Sequence, residues 1–305
     1  MSKGCLILGA GSLGRFWAAS LAPGVANFVP RPESMLSGQC EYLLQTFQGS
    51  SVTVSVPWQP LPAPYTPSAL LVTTKAMHAL PALTRIAASL PDATPIVLFQ
   101  NGMGSQQAVA SMFPERPILA ATTTEAANRP QPDVVVHAGR GVTWIGGLNA
   151  TGKQALTPVV ELLSRSHLQI RAATDITSGL WQKLVINAGI NPFTALLDCP
   201  NGQLRDQTFF LRHIDAVCEE LAQLMNHEGI PADAKNLRVD IETVAQATAS
   251  NTSSMRADVQ MGRPTEIDFI NGYVARQSAA LNLPAPVNRM LTERVHSITN
   301  TQQRG

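Results

Sequence analysis

Between Trp181 and Asn191 the chain reads as an apolar helix carrying three polar side chains. Lys183, Asn187 and Asn191 recur every four residues. At about 100° per residue they fall within roughly 80° of arc and stack along roughly 12 Å of one helix face. The intervening Leu184, Val185, Ile186, Ala188 and Ile190 require a core. A cation and two carboxamides on such a helix need a polar partner opposite them. A small polar substrate fits that need. The plainer alternative is a solvated stripe, which the apolar flanks disfavour. Pro192 follows Asn191, and the residue before a proline is disfavoured in helical geometry. The helix is therefore expected to kink or end there.

A second constellation lies near the start of the chain. Cys5 to Leu8 is continuously apolar, as a strand buried on both faces would be. Gly9, Ala10, Gly11, Ser12, Leu13 and Gly14 follow, then a helical pattern through Phe16, Trp17 and Leu21. This is the glycine-rich dinucleotide turn in its proper setting. The glycines permit a tight turn and close approach of a pyrophosphate, which the helix N-terminus attracts. After the next strand, at 25–29, comes Arg31. An arginine there accommodates the 2′-phosphate of NADP, whereas an acid would hold the ribose hydroxyl of NAD. Glu33 is close enough to compete.

Further polar residues stand where ligands are expected. Strands at 69–74 and 94–100 run into Lys75 and Asn101, and open α/β sheets bind ligands beyond those strand ends. Each also has an ordinary reading, a solvated lysine and an Asn-Gly turn. Asn251, Ser253 and Ser254 interrupt a helical run and offer groups suited to a carboxylate or hydroxyl, although serine and asparagine favour plain turns too. Residues 262–272 look like a helix start with Pro264 near its first position. Glu266 there has a purely structural reading, as an acid complementing the helix dipole.

The elements that position these groups follow from the rest of the chain. Its 305 residues are 45% hydrophobic and 14% charged, with a formal charge of +1. That suits a protein with ample core and about two domains. No charged block suggests nucleic acid or an anionic membrane face. No apolar run approaches the roughly 20 residues that span a bilayer. Cys5, Cys40, Cys199 and Cys218 lack metal-ligand spacing and read as reduced thiols, so the cytoplasm is the expected compartment. No His/Asp/Glu ligand cluster is visible, and no metal is expected.

Strands at 118–124, 133–137 and 142–145 are joined by short turns and suggest an antiparallel extension of the sheet. His137 reads as a sheet residue rather than a base. A strand-like stretch at 53–56 is the only clear feature of residues 36–67. A helix at 152–165 and a strand at 168–172 close the first half. Helices are then expected at 176–190, 193–198, 206–229, 232–249, 265–281 and 285–299. The expected organisation is α/β: an N-terminal Rossmann-type domain over 1–172 and a helical substrate domain over 173–305. Small ligands commonly bind in the cleft between such domains.

The sequence resembles the ketopantoate reductase family (2-dehydropantoate 2-reductase) over nearly its whole length. The matching pieces are residues 9–14, Arg31, Thr74 with Lys75, residues 101–104, residues 122–124, residues 180–184, Asn187, Asn191 with Pro192, residues 199–202, residues 253–255 and residues 265–268. The resemblance implies NADPH-dependent reduction of ketopantoate to pantoate, in pantothenate and coenzyme A biosynthesis. It implies that Lys183 is the proton donor and Glu266 its acidic partner near the nicotinamide ribose. Asn101, Asn187, Asn191, Asn201 and Ser254 fall where the family contacts substrate, and Asn251 adjoins them. Residues 9–14, Arg31 and Lys75, with Ala127 a weaker match, fall where it holds NADPH. A monomer or homodimer is expected. Two alternatives stay open: a reductase of another small 2-keto acid, and a non-catalytic NADP(H) sensor.

Overall fold

The computed structural model describes residues 4–31, 33, 34 and 36–302. The chain divides into two compact units, one of Met1–Gln100 with Ser105–Gly179, the other of Asn101–Gly104 with Leu180–Gly305. The first runs β1 (Cys5–Leu8), α1 (Ser12–Ser20), β2 (Ala26–Val29), β3 (Gln39–Gln45), β4 (Ser51–Pro57), β5 (Ala69–Val72), α2 (Ala76–Ile86), β6 (Ile96–Leu98) and α3 (Ser105–Met112). It continues through β7 (Ile118–Thr123), β8 (Ala126–Gln131), β9 (Val134–Gly139), β10 (Val142–Gly147), α4 (Ala150–Gln154), α5 (Leu156–Leu163) and β11 (Gln169–Ala172).

Among the described residues this unit holds two sheets. The larger has the order β11-β10-β7-β6-β5-β1-β2. Its strands β2, β1, β5, β6 and β7 are parallel to their neighbours, while β10 joins β7 antiparallel. Side chains alternate between the faces of a strand, and both faces here are buried. Cys5, Ile7 and Leu71 belong to one apolar cluster with Phe16 and Trp17 of α1. Leu6, Leu8, Leu70 and Val72 belong to another with Leu83 of α2 and Val109 of α3. Double burial is why these strands read as unbroken apolar runs.

The antiparallel extension is real for β10 but not for β9. That strand lies in a second sheet, β4-β3-β9-β8, parallel to β3 and antiparallel to β8. On β3, Cys40, Tyr42 and Leu44 point into the core while their neighbours face outward. This alternation is diluted by glutamines and a glutamate, and β3 and β8 went unpredicted.

The second unit is helical: α6 (Ile176–Leu197, from Leu180 onward in this unit), α7 (Thr208–His227), α8 (Ala234–Ala247), α9 (Ser254–Gln260), α10 (Asn271–Ala280) and α11 (Pro286–Gln302). Two expectations are corrected here. α6 does not end at Asn191 but runs through Pro192 to Leu197. The helix expected from 265 starts at Asn271, and Glu266 instead precedes a single 3-10 turn, Ile267–Phe269. No helix among the described residues is long and apolar enough to cross a membrane.

A Cβ on Gly14 would lie 1.9 Å from the carbonyl oxygen of Gly9. Gly14→Ala must therefore push α1 off β1, and overpacking of this kind costs about 1–3 kcal/mol. The expected outcome is a lowered thermal unfolding midpoint together with loss of dinucleotide binding. An unchanged midpoint would show that α1 shifts freely.

Candidate active site

In the first unit the glycine turn has the conformation its sequence demands. Gly9 sits at φ +114°, a region that side chains other than glycine's rarely enter. Thr73 pins the turn by donating its hydroxyl to the Gly9 carbonyl at 2.7 Å. Helix α1 starts after Gly11 with no side-chain cap and no acidic residue in its first turn. Its terminal N–H groups are thus offered to an anion. A Cβ on Gly11 would meet nothing within 4 Å, so the space over the loop is open. Together these features fit a dinucleotide pyrophosphate.

The other expected cofactor residues are arranged around this unit. Arg31 is exposed, just beyond β2. Glu33 forms an ion pair with Arg85 at 3.2 Å. Lys75 stands at the N-cap of α2, three residues beyond β5. Ala127 is half-buried on β8, the strand whose Arg129 donates to the Ala10 carbonyl at 3.2 Å. His137 lies on β9, its Nε2 2.7 Å from Glu125 Oε2 and its ring against Phe16.

In the second unit Asn101, Lys183 and Glu266 come together from three separate stretches. Asn101 owes its place to two glycines. Gly102 adopts φ +74° and Gly104 φ +100°. A Cβ on Gly102 would lie 2.0 Å from the Phe269 carbonyl oxygen. The Met103 amide donates to that same carbonyl at 2.8 Å. So close an approach puts Asn101 against Glu266, and its Nδ2 donates to Glu266 Oε2 at 2.9 Å. A carboxylate only accepts, so it fixes the Asn101 amide. The asparagine's carbonyl oxygen is left to point elsewhere.

Glu266 is buried, 8% exposed, and its charge reaches Lys183. Burial pushes the Lys183 ammonium down from 10.5 to about 8, and the Glu266 carboxylate pulls it back up. The environment that lowers the lysine thus also contains an acid that limits the fall. Asn187 is half-buried and Asn191 buried on the same helix.

Asn201 is buried, its Nδ2 donating to Thr248 Oγ1 at 2.9 Å. Its backbone amide donates to the Asn251 carbonyl at 3.1 Å, so the two expected residues are joined. Asn251 and Ser254 are exposed. Ser253 caps α9, accepting from the Arg256 amide at 3.1 Å, and its hydroxyl meets Thr194 Oγ1 on α6 at 2.7 Å.

Residues 5–150 match the family model described as "Ketopantoate reductase PanE/ApbA", and residues 175–299 match "Ketopantoate reductase PanE/ApbA C terminal". The chain belongs to the ketopantoate reductase family. Among the relatives it resembles, 2-dehydropantoate 2-reductase of Shigella flexneri is 34% identical, over 95% of this chain and 93% of that protein. The enzyme of the same name from Archaeoglobus fulgidus is 30% identical, over 96% of each. Of solved structures, a PanE/ApbA family ketopantoate reductase from Ralstonia eutropha JMP134 aligns at TM-score 0.82 with 23% identity, over 98% of this chain and 99% of that one. A D-mandelate dehydrogenase in complex with NADH and anilino(oxo)acetate aligns at TM-score 0.86 with 20% identity, over the same shares. These two structures show the family fold.

One residue of this unit escaped the sequence reading. Asn271 is fully buried, and its Nδ2 donates to the Ala188 carbonyl at 3.2 Å and to Asn288 Oδ1 at 2.9 Å. The signal was Pro192. A proline in a helix leaves the carbonyl four residues earlier without its donor, and that carbonyl is Ala188's.

Replacing Glu266 by Gln removes the charge that raises the Lys183 pKa. The value is then expected to fall below about 8, as read by NMR titration of the labelled lysine side chain. A rise, or no change, would show that the carboxylate does not act on Lys183.

Proposed function

We propose that this chain reduces 2-dehydropantoate to pantoate with NADPH. The observation that carries this reading is the Asn101, Lys183 and Glu266 group, set in a chain whose relatives bear that enzyme's name. Bound NADPH supplies the hydride. Residues 9–14, Arg31, Lys75 and Ala127 hold it in this reading, with Asn101 and Glu266 adding contacts. Glu33, the acid that could compete with the 2′-phosphate, is paired at the surface with Arg85.

The remaining chemistry belongs to the protein. Reduction of a ketone builds negative charge on the carbonyl oxygen and ends with a proton there. A cation placed at that oxygen stabilises the charge and then donates the proton. Lys183 does both. A donor with a pKa near 8 is still charged at neutral pH and releases its proton more readily than an ordinary lysine. Glu266 keeps the ammonium protonated in its buried setting. Asn101, its amide fixed by Glu266, presents its carbonyl oxygen to a hydroxyl. Asn187 and Asn191 orient the substrate's hydroxyl and carboxylate without adding charge. Asn201 and Asn251, joined by a backbone hydrogen bond, complete the substrate contacts with Ser254.

The reading is tested by following NADPH absorbance with a panel of 2-keto acids. Fastest turnover with 2-dehydropantoate is expected. Preference for another acid would move the assignment to that acid, and tight NADPH binding without turnover would make the chain a sensor. Lys183→Ala is expected to lower kcat by about 10² or more, and a smaller loss rejects it as proton donor. In the wild type kcat/KM should fall as pH rises through about 8, because the protonated form is the active one. Arg31→Ala should raise the KM for NADPH far more than that for NADH, and equal losses would show that Arg31 does not read the 2′-phosphate.

A further inference from the structure

Helix α6 carries Lys183, Asn187 and Asn191, and it continues past a residue that ordinarily breaks a helix. Pro192 has no N–H for the Ala188 carbonyl, and its ring crowds that carbonyl. A buried carbonyl left without a donor is destabilising. Asn271, the first residue of α10, supplies the missing donor from another helix at 3.2 Å.

Its amide is not free to turn over. Asn288 donates its backbone amide and Nδ2 to Glu220 Oε2, at 2.9 and 2.7 Å. Asn288 must therefore show its Oδ1 to Asn271, which in turn must show Nδ2 to both Asn288 and Ala188. Beyond the proline, Thr194 donates to the Ile190 and Asn191 carbonyls at 3.1 and 3.0 Å, so Ser253 supplies the proton of the Ser253 to Thr194 bond.

We propose that Asn271 is a positioning residue for the substrate: by taking the place of the N–H that Pro192 lacks, it holds Asn187 and Asn191 in helical register on the face that carries Lys183. It touches neither substrate nor cofactor and acts through the Ala188 carbonyl. This role rests on the reductase reading for its kinetic meaning, though not for its structural one. Ala188 lies between Asn187 and Asn191 and more than a turn beyond Lys183. Loss of the bond thus falls on the asparagines more than on the lysine.

The test is a double-mutant cycle between Asn271→Leu and Pro192→Ala. Alanine at 192 restores a backbone N–H to Ala188 and makes the asparagine's service redundant. Asn271→Leu alone is expected to raise the KM for the keto acid about tenfold with kcat changed less than about threefold. NADPH affinity and the pH at which kcat/KM falls should stay unchanged. In the Pro192→Ala background the KM effect should largely vanish. The lowered melting temperature should persist, because Asn288 Oδ1 still lacks its donor. An unchanged KM, or an increase of equal size in both backgrounds, overturns the proposal. Should Asn271→Leu not fold, Asn271→Ser, too short to reach Ala188, takes its place in the cycle. Should the wild type turn over no keto acid, the reductase reading fails by itself. Hydrogen exchange then decides the positioning role: the amides of residues 193–197 should exchange about tenfold faster in the Asn271 variant, and Pro192→Ala should reverse this. Equal exchange in all forms refutes it.

Discussion

One carbonyl, that of Ala188, organises the helical unit. Pro192 denies it a partner within α6, and α10 provides one from outside. A helix ending at Asn191 would take Asn191 off the face that carries Lys183 and Asn187. Closeness on the other side of α6 has its own requirement. A Cβ on Gly189 would lie 2.4 Å from the Ile241 side chain of α8, so α8 packs directly on the helix backbone. The helix is held where it is by what its sequence lacks, a Cβ at one position and an N–H at another.

The same helix sets the electrostatics. Lys183 sits among side chains that want a core, and burial alone would drive it toward the neutral form. Glu266 opposes that, but a buried acid needs partners of its own. Asn101 is one, drawn in by the tight passage of residues 101–104 against Phe269. The glycines at 102 and 104 therefore matter to the lysine. They seat the amide that hydrogen-bonds Glu266, and Glu266 raises the pKa of the lysine against the effect of its burial. A helix-dipole role for Glu266 does not apply, since α10 begins five residues later at Asn271.

How much of this was legible in the sequence depends on the range of the forces involved. The strands of the larger sheet were legible because double burial writes itself as an apolar run, as at residues 5–8 and 69–72. The glycine turn was legible because its conformation needs glycine at a fixed place. The polar stripe on α6 was legible from spacing alone. Strands β3 and β8 were not, although each forms a hairpin with the strand that follows it, because polar residues break their apolar alternation: glutamines and a glutamate on β3, and Asn128, Arg129, Pro130 and Gln131 on β8. The course of α6 past Pro192 was not legible for a different reason. The proline removes a local backbone bond, and the donor that replaces it lies 83 residues away. Asn201 and Asn251 were named as separate contacts, whereas a backbone hydrogen bond makes them one piece.

The polar chain behind Ala188 has a direction, and Glu220 sets it. This side chain on α7 is 6% exposed and accepts from the Val287 and Asn288 amides and from Asn288 Nδ2. Val287 and Asn288 belong to the first turn of α11, whose N–H groups have no partners within the helix. The carboxylate answers both those donors and the helix dipole, which is what makes its burial tolerable. Because it only accepts, it dictates the orientation of Asn288, and Asn288 dictates that of Asn271. Two amides that would each have two orientations in isolation are thereby reduced to one. The end of that sequence is an N–H aimed at a carbonyl on α6. A glutamine at 220 would supply both a donor and an acceptor and leave the direction of the chain undetermined. Glu220 thus acts on α6 through geometry, by fixing which atom of a neighbouring amide faces the helix.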